Sequence, residues 1–169
     1  MVIMDTDLLS MFAKVDAIEA LLELIGGDQI GITPAIAEEI AVPLQYGYGF
    51  PQQVLSNIPV VAINQQVAEK IAQLRIEATF LGRGEREAIA FCQIEQSIFA
   101  TNDIEARRFA QSQRVAVMSL QALLRGMWVS GMKSQTEVKQ LLERIKQTDR
   151  LKVSMAVESE IFAQENVKI

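Results

Sequence analysis

The sequence predicts an α/β protein: a doubly wound, five-stranded parallel sheet with helices on both faces, followed by a C-terminal helical extension. Three observations predict it. Short apolar runs without polar alternation recur along the chain, as in strands buried on both faces. Stretches of helical periodicity separate these runs. No repeat, low-complexity tract or linker divides the 169 residues, a length that suits one domain with a full core.

The first strand is Val2-Ile3-Met4, which runs straight into Asp5-Thr6-Asp7. A carboxylate inside such a strand would be costly, so Asp5 is expected where the strand emerges, at its C-terminal edge. Ligands bind at that edge in open α/β sheets. Leu8 to Ile25 has apolar residues at helical spacing, and Gly26-Gly27 ends the pattern. Gln29 to Ile32 is the second strand. Thr33 then serves as N-cap and Pro34 as first residue of a helix carrying Glu38 and Glu39.

Pro43 to Gln53, with its glycines and with Tyr46, Tyr48 and Phe50, reads as a loop or broken helix. Local packing of these aromatics is favoured over base stacking. Ile58 to Ile63 is the third strand, and Gln65 to about Phe80 a helix. Leu81 to Gly84 makes a turn into a helix from Glu85 to Glu95. Ser97 to Thr101 is the fourth strand, running out into Asn102-Asp103. Ile104 to Gln111 is helical and Arg114 to Met118 the fifth strand. Ser119 caps a helix through Leu124, with Gly126 and Gly131 breaking the chain around Trp128. Ser134 and Glu137 have capping-box spacing and open a helix to about Gln147. Leu151 to Met155 reads as a short strand or extended piece, and Ala156 to Gln164 as a last helix.

Composition narrows the chemistry. The chain has no histidine and one cysteine, so His-based triads are excluded and a zinc site is disfavoured. Cys92, with Phe91 and Ile94 as neighbours, reads as a buried core thiol. A net charge of −5 and a pI near 4.9 argue against holding nucleic acid by bulk electrostatics, although acids gathered in a metal site would contribute to that charge. No apolar run reaches the ~20 residues of a membrane span, because Glu19 and Glu23 interrupt the best one. The N-terminus lacks the basic region of a signal peptide, so a cytoplasmic location is expected.

Hydrolytic chemistry must therefore rest on carboxylates and a hard cation. Asp5 ends the first strand, and Asp103 follows the fourth by two residues. Glu39 lies in the helix after the second strand, and Glu85 opens the helix leading into the fourth, just after a glycine that frees the backbone. Carboxylates drawn together repel one another, and Mg²⁺ or Mn²⁺, which prefer oxygen ligands, relieve that repulsion. Two such ions about 4 Å apart can activate a water and stabilise the leaving oxygen of a phosphodiester.

Four segments carry a family resemblance. Val2-Ile3-Met4-Asp5-Thr6-Asp7, Thr33-Pro34-Ala35-Ile36-Ala37-Glu38-Glu39-Ile40, Leu81-Gly82-Arg83-Gly84-Glu85-Arg86-Glu87-Ala88 and Ala100-Thr101-Asn102-Asp103-Ile104-Glu105 resemble, in order and spacing, the four acidic motifs of PIN-domain proteins. The resemblance covers about residues 1–131, and residues 132–169 resemble the short C-terminal extension of a PIN subfamily, packed on the same domain. It implies a metal-dependent nuclease acting mostly on single-stranded RNA. It also implies a homodimer and, in many bacterial members, an antitoxin partner.

By position, Asp5, Glu39, Glu85 and Asp103 match the family acids and Mg²⁺ or Mn²⁺ ligands, with Thr101 and Asn102 in support. Asp7 stands where the family often has a small polar residue, and Glu87 competes with Glu85 for the third acid. Arg107 and Arg108, just after Asp103, are candidates to hold an RNA phosphate.

Each acid also has an ordinary reading. Glu38 and Glu39 would favour a helix dipole, Glu85 and Glu87 would form a solvated face, and Asp103 would cap a helix. Two rival functions stay open. One is a catalytically silent binding module for RNA or a partner protein. The other, less favoured, is a phosphohydrolase using an aspartyl nucleophile, suggested by the Asp5-Thr6-Asp7 pair.

Overall fold

The computed structural model describes residues 1–163. Val2, Ile3 and Met4 form β1 (Val2–Met4), buried along its whole length. Its neighbours are β2 (Ile30–Gly31) on one side and β3 (Ile98–Ala100) on the other, with β4 (Ala116–Met118) beyond β3. All pairings are parallel. Val2 stands opposite Ile30 and Ile98, and Met4 opposite Ala100. The expected α/β class and parallel sheet are present.

The sheet has four strands rather than five. The expected third strand, Ile58 to Ile63, contributes a single parallel bridge, Ile32 to Val60. The Ile32 N–H donates to the Pro59 carbonyl at 3.0 Å, and the Val61 N–H donates to the Ile32 carbonyl at 2.8 Å. The ladder stops there for two reasons. On one side Thr33 and Pro34 have already turned into a helix, and on the other Pro59 has no N–H to give. This segment is an edge, with Val60 half exposed.

The apolar period from Leu8 to Ile25 is divided into α1 (Thr6–Lys14) and α2 (Ile18–Ile25). Asp16, at φ 53°, takes the left-handed conformation between them. Val15, Ala17 and Ile18 are all buried, so the apolar rhythm continues across a backbone break. α3 (Pro34–Ala41) follows, with Thr33 as N-cap and Pro34 in the first turn. A 3₁₀ turn (Val42–Tyr46) and α4 (Pro51–Asn57) occupy the stretch left open as loop or broken helix.

Next come α5 (Gln65–Glu77), α6 (Arg83–Ile94), α7 (Ile104–Ser112) and α8 (Leu120–Val129). Helix α8 runs through Gly126, where a break was expected. A Cβ there would meet Leu24 of α2 at 3.3 Å, so the glycine serves close packing of the two helices.

The C-terminal part begins with α9 (Gln135–Asp149), opened by the Ser134–Glu137 capping box. Its Val138, Leu141, Leu142 and Ile145 join the same core as the sheet. Leu151 to Ser154 form no strand, and α10 (Met155–Phe162) follows. Gln164, the expected end of the last helix, lies outside the described residues. The carbonyls at the end of α10 are held from α8: Trp128 Nε1 donates to Ile161 O at 2.8 Å, and Arg125 donates to Ala163 O at 2.7 Å. Among the described residues no helix is long and apolar enough to cross a membrane.

The Trp128 bond gives a first test. Trp128→Phe keeps the ring and removes the donor, and should lower stability by about 1 kcal/mol. Amide exchange should rise first in 155–162. Unchanged exchange there would show that the indole N–H does not hold α10.

Candidate functional site

The end of β1 is where the acids meet. β1 continues directly into α1, and Asp5 is the N-cap between them. Its carboxylate is 5% exposed, with Oδ1 accepting the Thr6 N–H at 2.8 Å and Oδ2 the Thr101 hydroxyl at 2.9 Å. Thr101 is the first residue past β3 and is wholly buried. Its Oγ1 also accepts the Asp103 N–H at 3.1 Å, so one hydroxyl joins the two acids at the ends of adjacent strands. Asp103 is exposed and caps α7 through the Ala106 N–H at 2.7 Å. The capping and site positions of Asp103 are therefore one and the same.

Glu39 enters from α3. Its Oε2 accepts the Thr6 hydroxyl at 2.7 Å and its Oε1 the Gly84 N–H at 2.9 Å. Gly84 lies in the first turn of α6, and a Cβ there would stand 2.6 Å from Glu39 Oε2. The glycine is needed for room, not for an unusual φ as the sequence reading had it. Glu85 accepts the Gly82 N–H at 2.7 Å, closing the first turn of α6.

Glu87 is turned elsewhere. It is buried, and its Oε1 accepts the Ala35 N–H at 2.7 Å, so it caps the start of α3. Glu85, by contrast, is half-buried beside other acids. Thr6, which ties Asp5 to Glu39, escaped the sequence reading. The signal for it was a hydroxyl placed immediately after a strand-terminal acid.

Electrostatics treat these groups as one cluster. Burial raises Asp5 to about 7, the Thr101 hydrogen bond opposes that rise, and the Asp7 and Glu85 charges add to it. Glu85 is also raised, first by partial burial, then by Asp103, Asp7 and Glu39, with the Gly82 N–H opposing. Asp7 is exposed in the first turn of α1. Asn102 is half-buried between Thr101 and Asp103. Arg107 is half-buried and Arg108 exposed on α7, and among the described residues neither forms an ion pair. Arg83 pairs instead with Glu38 on the surface, a contact worth little. Cys92 is buried, and its burial pushes the thiol up to about 12, consistent with a core side chain.

The donor set is all oxygen, which suits a hard cation. A carboxylate offers about four acceptor positions, and Glu85 and Asp103 each accept one hydrogen bond here. As the side chains stand, no three of the described acidic or thiol groups close on a common point tightly enough to hold an ion.

A family model described as a PIN domain matches residues 1–166. No curated protein matches the chain. Among solved structures it is similar to the crystal structure of FitAcB from Neisseria gonorrhoeae, at 18% identity and a TM-score of 0.48, over 70% of this chain and 96% of that one.

The position of Asp5 fixes a pH dependence. Its folded-state value, about 7, lies above the ordinary 3.8, so the folded protein keeps a proton that the unfolded chain loses. The resulting stability is complete below about pH 4 and is lost as pH rises through 7. Asp5→Asn removes the titration, so its Tm should gain on wild type steadily from pH 4 to pH 8. A difference independent of pH would contradict the buried, repelled carboxylate. Separately, Gly84→Ala should dislodge Glu39 from both of its donors and lower stability by about 1–3 kcal/mol in urea melts. A neutral Gly84→Ala would mean that Glu39 has room to move.

Proposed function

The chain belongs to the PIN-domain family, and from that premise we propose that it is a Mg²⁺- or Mn²⁺-dependent endoribonuclease that cuts single-stranded RNA. One observation carries the reading: Thr101 joins Asp5 to Asp103 and Thr6 joins Asp5 to Glu39, while Asp5 and Glu85 are both raised, first by burial and then by neighbouring acids. A cation would relieve that repulsion.

Asp5, Glu39, Glu85 and Asp103 would hold the metal. A divalent ion among them supplies charge neutralisation on a phosphoryl oxygen and a nucleophile drawn from water at neutral pH. The protein's own groups do the positioning. Thr101 orients Asp5 and the Asp103 backbone together, Thr6 holds Asp5 and Glu39, and Asn102 lies beside them. Arg107 and Arg108 would receive a phosphate of the strand. Asp7, exposed and one helical step further on, would act on a metal only through water. Residues 1–131 would carry the activity and 132–169 the extension. A homodimer, an antitoxin-type partner and a cytoplasmic site of action complete the proposal.

A second reading is a catalytically silent module that binds RNA or a protein. It is favoured by the absence, among the described residues, of three acids already gathered around one point. The aspartyl-nucleophile alternative fits less well, because it would want a lysine at the end of a later strand, and neither Ile58 to Ile63 nor Arg114 to Met118 supplies one.

Incubation with 5′-labelled single-stranded RNA and Mn²⁺ should give internal cuts that EDTA stops. Asp5→Asn and Asp103→Asn should each lose at least about a hundredfold in rate while folding normally, and Asp7→Ser should keep most of it. Millimolar Mn²⁺ should raise the Tm of wild type and not of Asp5→Asn. Metal-induced stabilisation without cutting would favour the silent module. Indifference of both stability and cutting to Mn²⁺ would overturn the metal site.

A further inference from the structure

The exposed face of α1 leads away from the acids. Asp7 and Lys14 are exposed on it with Ser10 half-buried between them, while Leu8, Leu9, Phe12 and Ala13 are buried. Seven residues of helix span about 10 Å, so Lys14 stands roughly that far along the helix from Asp7. There the surface opens into a pocket of about 610 Å³, lined by Ser10, Lys14, Pro43, Tyr48, Phe50 and Thr148. Both ends of this path lie on one helix edge, with the acid cluster at one and the pocket at the other.

The pocket is built rather than incidental. Lys14 lies 5.5 Å from the centroid of the Phe50 ring and is paired with Asp149 of α9, so it is fixed from two sides. Phe50 packs against Tyr48 with ring centroids 6.3 Å apart and a 56° tilt. Tyr48 nevertheless remains 61% exposed. Ser10 and Thr148 line the same pocket. Half of the lining is therefore aromatic or proline, and the other half is a cation and two hydroxyls.

We propose that this pocket receives a nucleobase of the RNA strand whose backbone lies on the acid cluster; the proposal rests on the ribonuclease reading above. Position favours a base over a protein side chain: the pocket opens on the same helix edge as the acid cluster, where an exposed tyrosine stands beside Ser10 and Thr148, while Lys14 is already matched by Asp149. An exposed tyrosine beside two hydroxyl-bearing residues suits a base, which offers both a face and a hydrogen-bonding edge. The overall charge supplies the need. At −5 the chain repels a polyanion, and stacking is a grip that does not depend on Coulombic attraction. Thr148, on the pocket wall, gives the C-terminal helix α9 a part in substrate recognition.

Tyr48→Ala and Tyr48→Phe test this with Mn²⁺ and a short single-stranded RNA carrying 2-aminopurine at successive positions. In wild type the fluorescence at one position should be quenched on binding, and an abasic site there should raise KM about tenfold. Tyr48→Ala should abolish that quenching and raise KM by a similar factor, with kcat at saturating RNA unchanged. Tyr48→Phe should restore both. In Tyr48→Ala the abasic substitution should have no further effect. If Tyr48→Ala cuts with wild-type KM and quenching, the pocket proposal falls and the ribonuclease reading stands. If Tyr48→Ala loses a co-purifying protein while its RNA kinetics are unchanged, the pocket docks protein and the proposal is again overturned. If wild type neither binds nor cuts RNA, both readings fall together.

Discussion

A single hydroxyl, Thr101 Oγ1, stands between the two acids at the ends of the central strands. It donates to the buried Asp5 carboxylate and accepts from the backbone of Asp103. An unpartnered carboxylate at this depth would be prohibitively costly, so the end of β1 has to be surrounded by donors. Thr6 supplies the second donor to Asp5, and its own hydroxyl reaches across to Glu39. The parallel register of β1 with β3 places Asp5 next to Thr101, and the Asp5 N–H donates to Ala100 O at 2.9 Å. Sheet order, register and site are in this sense one constraint.

The crowding of acids is also eased by where they sit. Asp5 caps α1, Asp103 caps α7, and Glu39 and Glu85 both accept N–H groups at the start of α6. The N-terminal ends of three helices thus point their unpaired amides at one acidic patch, where the helix dipole favours negative charge. The ordinary reading of each acid as a helix cap and the functional reading of the group as a site are compatible. The same placement that caps a helix brings its carboxylate toward the others.

Much of this was legible in the sequence, for identifiable reasons. An apolar run colliding with an acid marked Asp5 as a strand-end residue, and Thr33-Pro34 marked the start of α3. The parallel α/β class followed from buried runs alternating with helical periods. What stayed hidden depends on partners distant in sequence. Nothing local says that Glu87 would reach Ala35, 52 residues away, while Glu85 turned back to Gly82. The expected third strand, Ile58 to Ile63, shrank to a single bridge, partly because β2 ends at once in a helix, a property of the neighbour, and partly because Pro59 has no N–H to give. The break at Asp16 was masked because the buried positions on either side preserve the apolar rhythm.

Helices α3 and α6 exchange glutamates: Glu87 of α6 accepts an amide proton from the start of α3, and Glu39 of α3 accepts one from the start of α6. Each helix end is therefore completed by the other, and the two bonds close a loop through both backbones. Such an arrangement has no weak direction of its own. Fraying the first turn of either helix uncovers a carboxylate on its partner, so the two ends open together or not at all. The floor of the acidic patch therefore rests on two helix starts tied to each other, rather than on the loosely held segments in which many binding surfaces reside. The price is evolutionary stiffness: a substitution at either glutamate disturbs two helix starts at once, and a viable change would have to be made on both.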